Sequence, residues 1–232
     1  MSPRSTDADE LPRPARLRTA LTLTSVLVVA AGVASEVAKA VYRLPSDYGF
    51  VPYFSLSYEA NFPTWYSSVL LLACAALLAL AARAPRADTD PKGAPWWILA
   101  AGFTFMSLDE VMSLHELTGT LVRAHGVLHF SWVIPALVLV GALGLYFIPF
   151  LKALPPKTRN RFVAAGAVYV FGAVGMELPL GYWVERYGDS GLGYGLIDAL
   201  EEALEILGAQ LFLLALLDHV RARGLRLRFE SI

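Results

Sequence analysis

Six long apolar runs divide this sequence, and 56% of its residues are hydrophobic, which is far above the level of an ordinary soluble domain. The runs lie at residues 19–42, 64–84, 95–118, 128–154, 162–182 and 196–220. A helix rises about 1.5 Å per residue, so each run can cross roughly 30 Å of hydrocarbon. We predict an all-α polytopic membrane protein: a disordered cytoplasmic tail (1–18), a six-helix transmembrane bundle (19–222) and a second cytoplasmic tail (223–232).

The positive charges predict the orientation. Of the 19 lysine and arginine residues, 15 precede the first run or follow the second, fourth and sixth runs. Basic segments tend to stay in the cytoplasm, which places both termini there and the chain in the inner (plasma) membrane. A second interpretation is a cleaved signal peptide, because the first run follows basic residues and contains small residues such as Ala31 and Ala34. Cleavage would leave five helices.

Composition excludes several classes of function. The net charge of −1 and the scattered basic clusters do not suit nucleic-acid binding. Cys74 is the single cysteine, so the chain has no internal disulfide and no multi-thiolate metal site. We expect Cys74 to be a packing residue inside the bundle.

Aromatic residues mark the expected membrane surfaces. The connection at residues 43–63 carries six of them with several prolines, and we predict a compact loop on the outer surface. Trp65, Trp96, Trp97 and Trp183 lie at the ends of runs and are predicted to be interfacial anchors, and His219 is predicted to be interfacial as well.

Acidic side chains occur inside four of the predicted spans, where each charge costs roughly 2.5–3.5 kcal/mol on insertion. They are Glu36 in the first span, Asp109, Glu110 and Glu116 in the third, Glu177 in the fifth, and Asp198, Glu201, Glu202 and Glu205 in the sixth. Within each of the third and sixth spans the helical spacing gives one acidic stripe. Counted from the outer ends, the acids lie about 3–13 Å deep, so we expect a cavity that opens outward.

We predict that this cavity binds a divalent cation or protons, because closely spaced carboxylates cannot all be ionised in a dry site. The candidate metal ligands are Asp109, His115, Glu116, Glu177, Asp198, Glu202 and Glu205. Carboxylates suit Ca²⁺, Mg²⁺ or Mn²⁺, and an imidazole adds Zn²⁺ and Fe²⁺. Glu110 and Glu201 rank lower. The alternative is that these groups only hold the bundle together, for example through an ion pair between Glu36 and Lys39.

Three further sequence features lie near the predicted site or at the ends of its helices. Pro179 frees a carbonyl and is expected to bend the fifth span near Glu177. Gly172 and its neighbouring glycines are predicted to permit close helix packing. His125 and His129 have the spacing of metal ligands, but polar residues at the membrane surface are the simpler interpretation.

The leading functional hypothesis is transport or permeation through the carboxylate site. One alternative is a metal-dependent membrane enzyme, a lipid hydrolase or oxidase, in which the cation activates water. Another is a non-catalytic subunit or sensor of a membrane complex. The expected partners are the lipid bilayer and either other proteins or further copies of the chain.

Two segments carry a resemblance. Residues 61–68 (NFPTWYSS) and residues 107–116 (SLDEVMSLHE) resemble an uncharacterised family of bacterial multi-pass membrane proteins, a resemblance that implies no activity. Buried Asp, Ser and His around a zinc ion are also typical of alkaline ceramidases. This sequence lacks their closing pair of histidines and has Glu202 and Glu205 in the last span, so their residues are not carried over.

Overall fold

The computed structural model describes residues 14–84, 93–114 and 125–224, which contain helices and no strands. The α-helices are α1 (Pro14–Tyr42), α2 (Val51–Phe54), α3 (Phe62–Arg83), α4 (Gly93–Met112), α5 (Val133–Ala153), α6 (Pro156–Val170), α7 (Glu177–Tyr187) and α8 (Leu192–Ala222). A 3₁₀ turn at Gly126–Leu128 precedes α5, and a π-helical segment at Phe171–Met176 joins α6 to α7. The prediction of an all-α fold is confirmed for the described residues.

Five helical stretches in these ranges are long and apolar enough to cross a membrane. They are Ala15–Tyr42, Phe62–Arg83, Val133–Ala153, Pro156–Tyr187 and Leu192–Ala222. Helix α4 is not among them, although it has 20 residues. The structure is therefore compatible with a membrane location, and the predicted number of six crossings is not confirmed.

Several helix ends differ from the predicted ones. Helix α6 begins at Pro156 and α8 at Leu192, both earlier than predicted. Helical turns that extend beyond the lipid need no apolar residues, so hydropathy does not mark them. Helix α4 ends at Met112, earlier than the predicted residue 118, since Ser113 adopts a φ of +51°. The N–H of Ser113 donates a hydrogen bond to the carbonyl of Asp109 at 2.7 Å, and this bond closes the last turn of α4.

One end of the bundle, here called the basic end, has an aromatic core. Trp96 at the start of α4 is only 1% exposed and meets the edge of Phe150 at a ring distance of 4.9 Å. It stacks on His219 near the end of α8 at 5.1 Å. Both side chains are therefore buried between helices and do not face outward, as membrane-surface anchors would.

The basic end also fixes the directions of the helices. Asp218 on α8 accepts hydrogen bonds from Arg18 on α1 and from Arg161 on α6. Arg83, at the end of α3, lies 5.5 Å from the ring of Trp97. The basic end thus contains the starts of α1, α4 and α6 and the ends of α3 and α8. Successive long helices therefore run antiparallel.

Close packing brings α6 against α8. A Cβ added to Gly208 would lie 2.6–2.7 Å from backbone atoms of Tyr169, and one added to Gly172 would lie 3.0 Å from the carbonyl oxygen of Glu201. These contacts confirm the predicted packing role of Gly172. Cys74 is fully buried on α3, as predicted.

The opposite end, here called the acidic end, is covered by the connection between α1 and α3. Its turn is held by Asn61, whose side chain donates to the carbonyls of Ser55 and Tyr58 at 2.6 and 2.7 Å and accepts from the Thr64 N–H. Leu56 of the same connection is buried and fills the space beside Gly32 of α1. The predicted compact loop is present and rests on α1.

Candidate functional site

Glu36 lies at the acidic end of the site and has several partners. It is 1% exposed on α1, and its Oε2 atom lies 2.7 Å from Nζ of Lys39. Ser55 of the connection between α1 and α3 donates to its Oε1 atom. Lys39 also donates to the hydroxyl of Tyr58 at 3.3 Å. The predicted Glu36–Lys39 pair is present and attaches this connection to α1.

Asp198 of α8 lies beside this group. It faces the hydroxyl of Ser57 and interacts electrostatically with Glu36 and Lys39. The close approach depends on Gly195, where an added Cβ would lie 2.3 Å from Oε2 of Glu36. Two acids thus share one lysine at this level.

A second level is formed by Glu177 of α7 and Glu201 of α8. Both side chains are buried, with 7% exposure each, and they interact electrostatically. Glu177 accepts a hydrogen bond from Nε1 of Trp132 at 2.9 Å. The Oε2 atom of Glu201 is buried and has no hydrogen-bond partner among the described residues. A buried carboxyl oxygen without a partner carries a desolvation cost.

A third level contains Glu202, the residue after Glu201, and Glu205, which lies one turn deeper along α8. Glu202 interacts electrostatically with Glu205 and with Glu110 of α4. Tyr169 of α6 donates a hydrogen bond to Glu205 and also lies within electrostatic range of Glu110 and Glu202. Three helices therefore contribute to this level, and the α4 residue that reaches it is Glu110.

The acids consequently form a column along α8. From Asp198 to Glu205 the column extends about 10 Å along α8, at about 1.5 Å per residue. We refer to these three levels as the acidic column; its members are Glu36, Glu110, Glu177, Asp198, Glu201, Glu202 and Glu205. The predicted ligand Asp109 lies one position from Glu110, about 100° around α4. The predicted ligands His115 and Glu116 lie outside the described residues.

The described residues contain no group of three or more His, Cys, Asp or Glu side chains arranged to hold a metal ion. His125 and His129 instead approach Oε1 of Glu185 through their Nδ1 atoms, at 3.3 and 3.4 Å. His125 is 85% exposed, which fits the simpler interpretation of polar surface residues.

The backbone around Glu177 is unusual. The π-helical segment Phe171–Met176 ends immediately before it, and Pro179 follows two residues later. π-Helical turns within α-helices occur often at functional sites. The irregularity expected near Pro179 therefore takes the form of a widened turn on the preceding side.

A family model described as "Domain of unknown function (DUF8692)" matches residues 20–220. The chain belongs to this family. No curated protein and no solved structure matches the chain. The matched DUF8692 region includes every residue of the acidic column, so the column is part of the domain itself and not of a tail.

The acidic column includes Glu201 and Glu110, the two acids to which the sequence gives a lower rank. Glu201 is among the most deeply buried acids of the described residues, and Glu110 lies within electrostatic range of Glu202 on α8. Trp132 and Tyr169 were not identified. The i,i+4 spacing of Glu201 and Glu205 was a usable signal, whereas nothing in the sequence pairs Tyr169 with Glu205.

Proposed function

We propose that this protein is a six-span protein of the plasma membrane, with both termini in the cytoplasm, whose acidic column takes up protons from the outer side for transport. The predicted positive-inside orientation puts the basic end in the cytoplasm and the column in the outer half of the bilayer. The column then lies where ionisable groups are costly and commonly mark ion or proton paths.

The observation that carries the proposal is the Glu177–Glu201 pair. Two buried carboxylates interact, and Oε2 of Glu201 has no hydrogen-bond partner within the described part of the chain. Two such groups cannot both be ionised without a large desolvation cost, so at least one holds a proton when the site is closed. A proton held in this way is released when water reaches the pair.

Protons fit the column better than a divalent metal ion does. A metal site needs several ligand atoms around one point, and the described residues contain no such group. The column instead spaces its acids in successive levels with Tyr169 at the deepest one. Hydroxyl and carboxyl groups in sequence are suitable for proton transfer over short steps.

Helix α4 is the proposed sixth crossing. It has 20 residues, which correspond to about 30 Å of helix. Ser68 of α3 and Ser107 of α4 exchange hydrogen bonds at 2.8 and 2.9 Å, so the two helices lie side by side deep in the bundle. Glu110 then enters the column from a membrane-crossing helix.

Proton flux into liposomes tests the proposal. Purified protein is reconstituted with a trapped pH-sensitive dye, and a potassium gradient with valinomycin supplies the driving force. We expect wild-type protein to acidify or alkalinise the lumen according to the gradient, and Glu201→Gln to reduce flux to that of protein-free liposomes. Glu201→Asp keeps a titratable group and should retain part of the flux.

The matched control is Glu185→Gln, which removes an exposed acid at the same end of the bundle. It should leave flux unchanged. Folded Glu201→Gln protein that moves protons as fast as wild type would contradict the proposal.

A further inference from the structure

The ion-pair group at the basic end has an unbalanced charge. Asp218 accepts from Arg18 through Oδ1 and from Arg161 through Oδ2, so one carboxylate faces two guanidinium groups. The two arginine side chains are still 41% and 43% exposed. Each guanidinium has five N–H donors, and most of them remain available to another acceptor.

A groove lies directly beside this group, between α1, α6 and α8. Its volume is about 230 Å³, and its lining joins Arg18, Arg161 and Asp218 to the apolar side chains of Ala165, Leu211 and Leu214. Leu211 is exposed to the surroundings of the bundle. The groove is thus cationic at the end of the bundle and apolar toward the middle.

We propose that this groove binds an anionic phospholipid, with the headgroup phosphate on Arg18 and Arg161 and an acyl chain along Leu211 and Leu214. Arginine pairs bind phosphate oxygens through several parallel hydrogen bonds. Basic pockets between transmembrane helices on the cytoplasmic side are suited to anionic headgroups. Asp218 weakens the site, because its carboxylate competes with the phosphate for both guanidinium groups. This inference does not depend on proton uptake by the acidic column.

Lipid retention by the full-length protein tests the site. Protein in detergent is mixed with phosphatidylglycerol or with phosphatidylcholine, and native mass spectrometry counts the lipids bound. We expect a retained phosphatidylglycerol and no comparable phosphatidylcholine. Arg161→Gln should lower affinity for phosphatidylglycerol about fivefold, the effect of one cation near a membrane surface. Arg161→Lys keeps the charge and should lower it less.

The matched control is Arg159→Gln on the same helix, because Arg159 does not line the groove. It should leave lipid binding unchanged, and an equal loss in both variants would overturn the proposal in favour of general surface charge. Asp218→Asn should raise affinity, since the competing carboxylate is gone; this result also decides the question if Arg161→Gln fails to fold. A fall in affinity would overturn the proposal. So would binding of inorganic phosphate that excess phosphatidylglycerol does not displace, because the site would then recognise a free anion.

Discussion

The two ends of the bundle bury acidic groups in opposite ways. At the basic end, Asp218 has a guanidinium on each of its carboxylate oxygens. In the acidic column, Glu201 is more deeply buried and has a second carboxylate, Glu177, as its neighbour. The first arrangement lowers the cost of burying charge, and the second raises it. Paired charge is therefore compatible with stability at the basic end, whereas the neighbouring buried carboxyl groups of the column should lower the stability of the fold.

Replacing Trp96 by alanine should lower the free energy of unfolding more than any other substitution in this comparison. Trp96 packs between Phe150, Phe162 and His219, and truncating so large a buried side chain costs about 3–5 kcal/mol. Thermal unfolding in detergent, followed by circular dichroism, measures the loss. Trp97→Ala is the control, because Trp97 is 43% exposed beside Arg83 and should cost under about 1 kcal/mol. Equal losses would mean that the aromatic core is not what stabilises the basic end.

Gly208→Ala should have an intermediate effect at the boundary between the two regions. The added methyl group would meet the backbone of Tyr169, which cannot move without shifting α6 away from α8. Overpacking of this kind costs about 1–3 kcal/mol. The control is Gly166→Ala on α6, where the space is open and alanine should stabilise the helix by roughly 0.5–1 kcal/mol. Unfolding midpoints that move in the same direction for both variants would refute the close contact.

Glu201→Gln should change the free energy of unfolding least, and any change should be an increase, whereas Trp96→Ala and Gly208→Ala should lower it. The neutral amide removes the repulsion with Glu177 and needs no proton, so the free energy of unfolding should stay the same or rise by up to about 1 kcal/mol. Chemical denaturation in mixed micelles measures the change. Marked destabilisation would show that Glu201 supports the fold in the same way as Asp218 does, and the contrast between the two regions would disappear.

The sequence predicted the helices better than their ends. Apolar runs identified the five stretches that can cross a membrane, because hydropathy responds directly to the lipid environment. Hydropathy did not identify the start of α6 at Pro156, because the first turns of that helix carry Lys157, Arg159 and Arg161. Nor did it distinguish Trp96 from Trp97, because adjacent positions on a helix point about 100° apart and only the neighbouring helices decide which one is buried.

The acids of the column were visible in the sequence, whereas their partners were not. Charge inside an apolar run is unusual enough to identify Glu177 and Glu205 directly. Their contacts with Trp132 and Tyr169 depend on which helices are neighbours and how each is rotated. One sequence contains periodicity within a helix but no record of the angle between helices, so it does not show which of Glu110 and Asp109 faces α8.

The π-helical segment Phe171–Met176 sets the direction in which Glu177 points. A widened turn accommodates one additional residue, so everything that follows is offset by one position relative to an ordinary α-helix, a rotation of about 100°. Had α6 continued with regular geometry, the thioether of Met176 would occupy the place beside Glu201 that a carboxyl group now fills. The chemistry of the pair therefore depends on a register defect in the backbone as much as on the identity of any side chain.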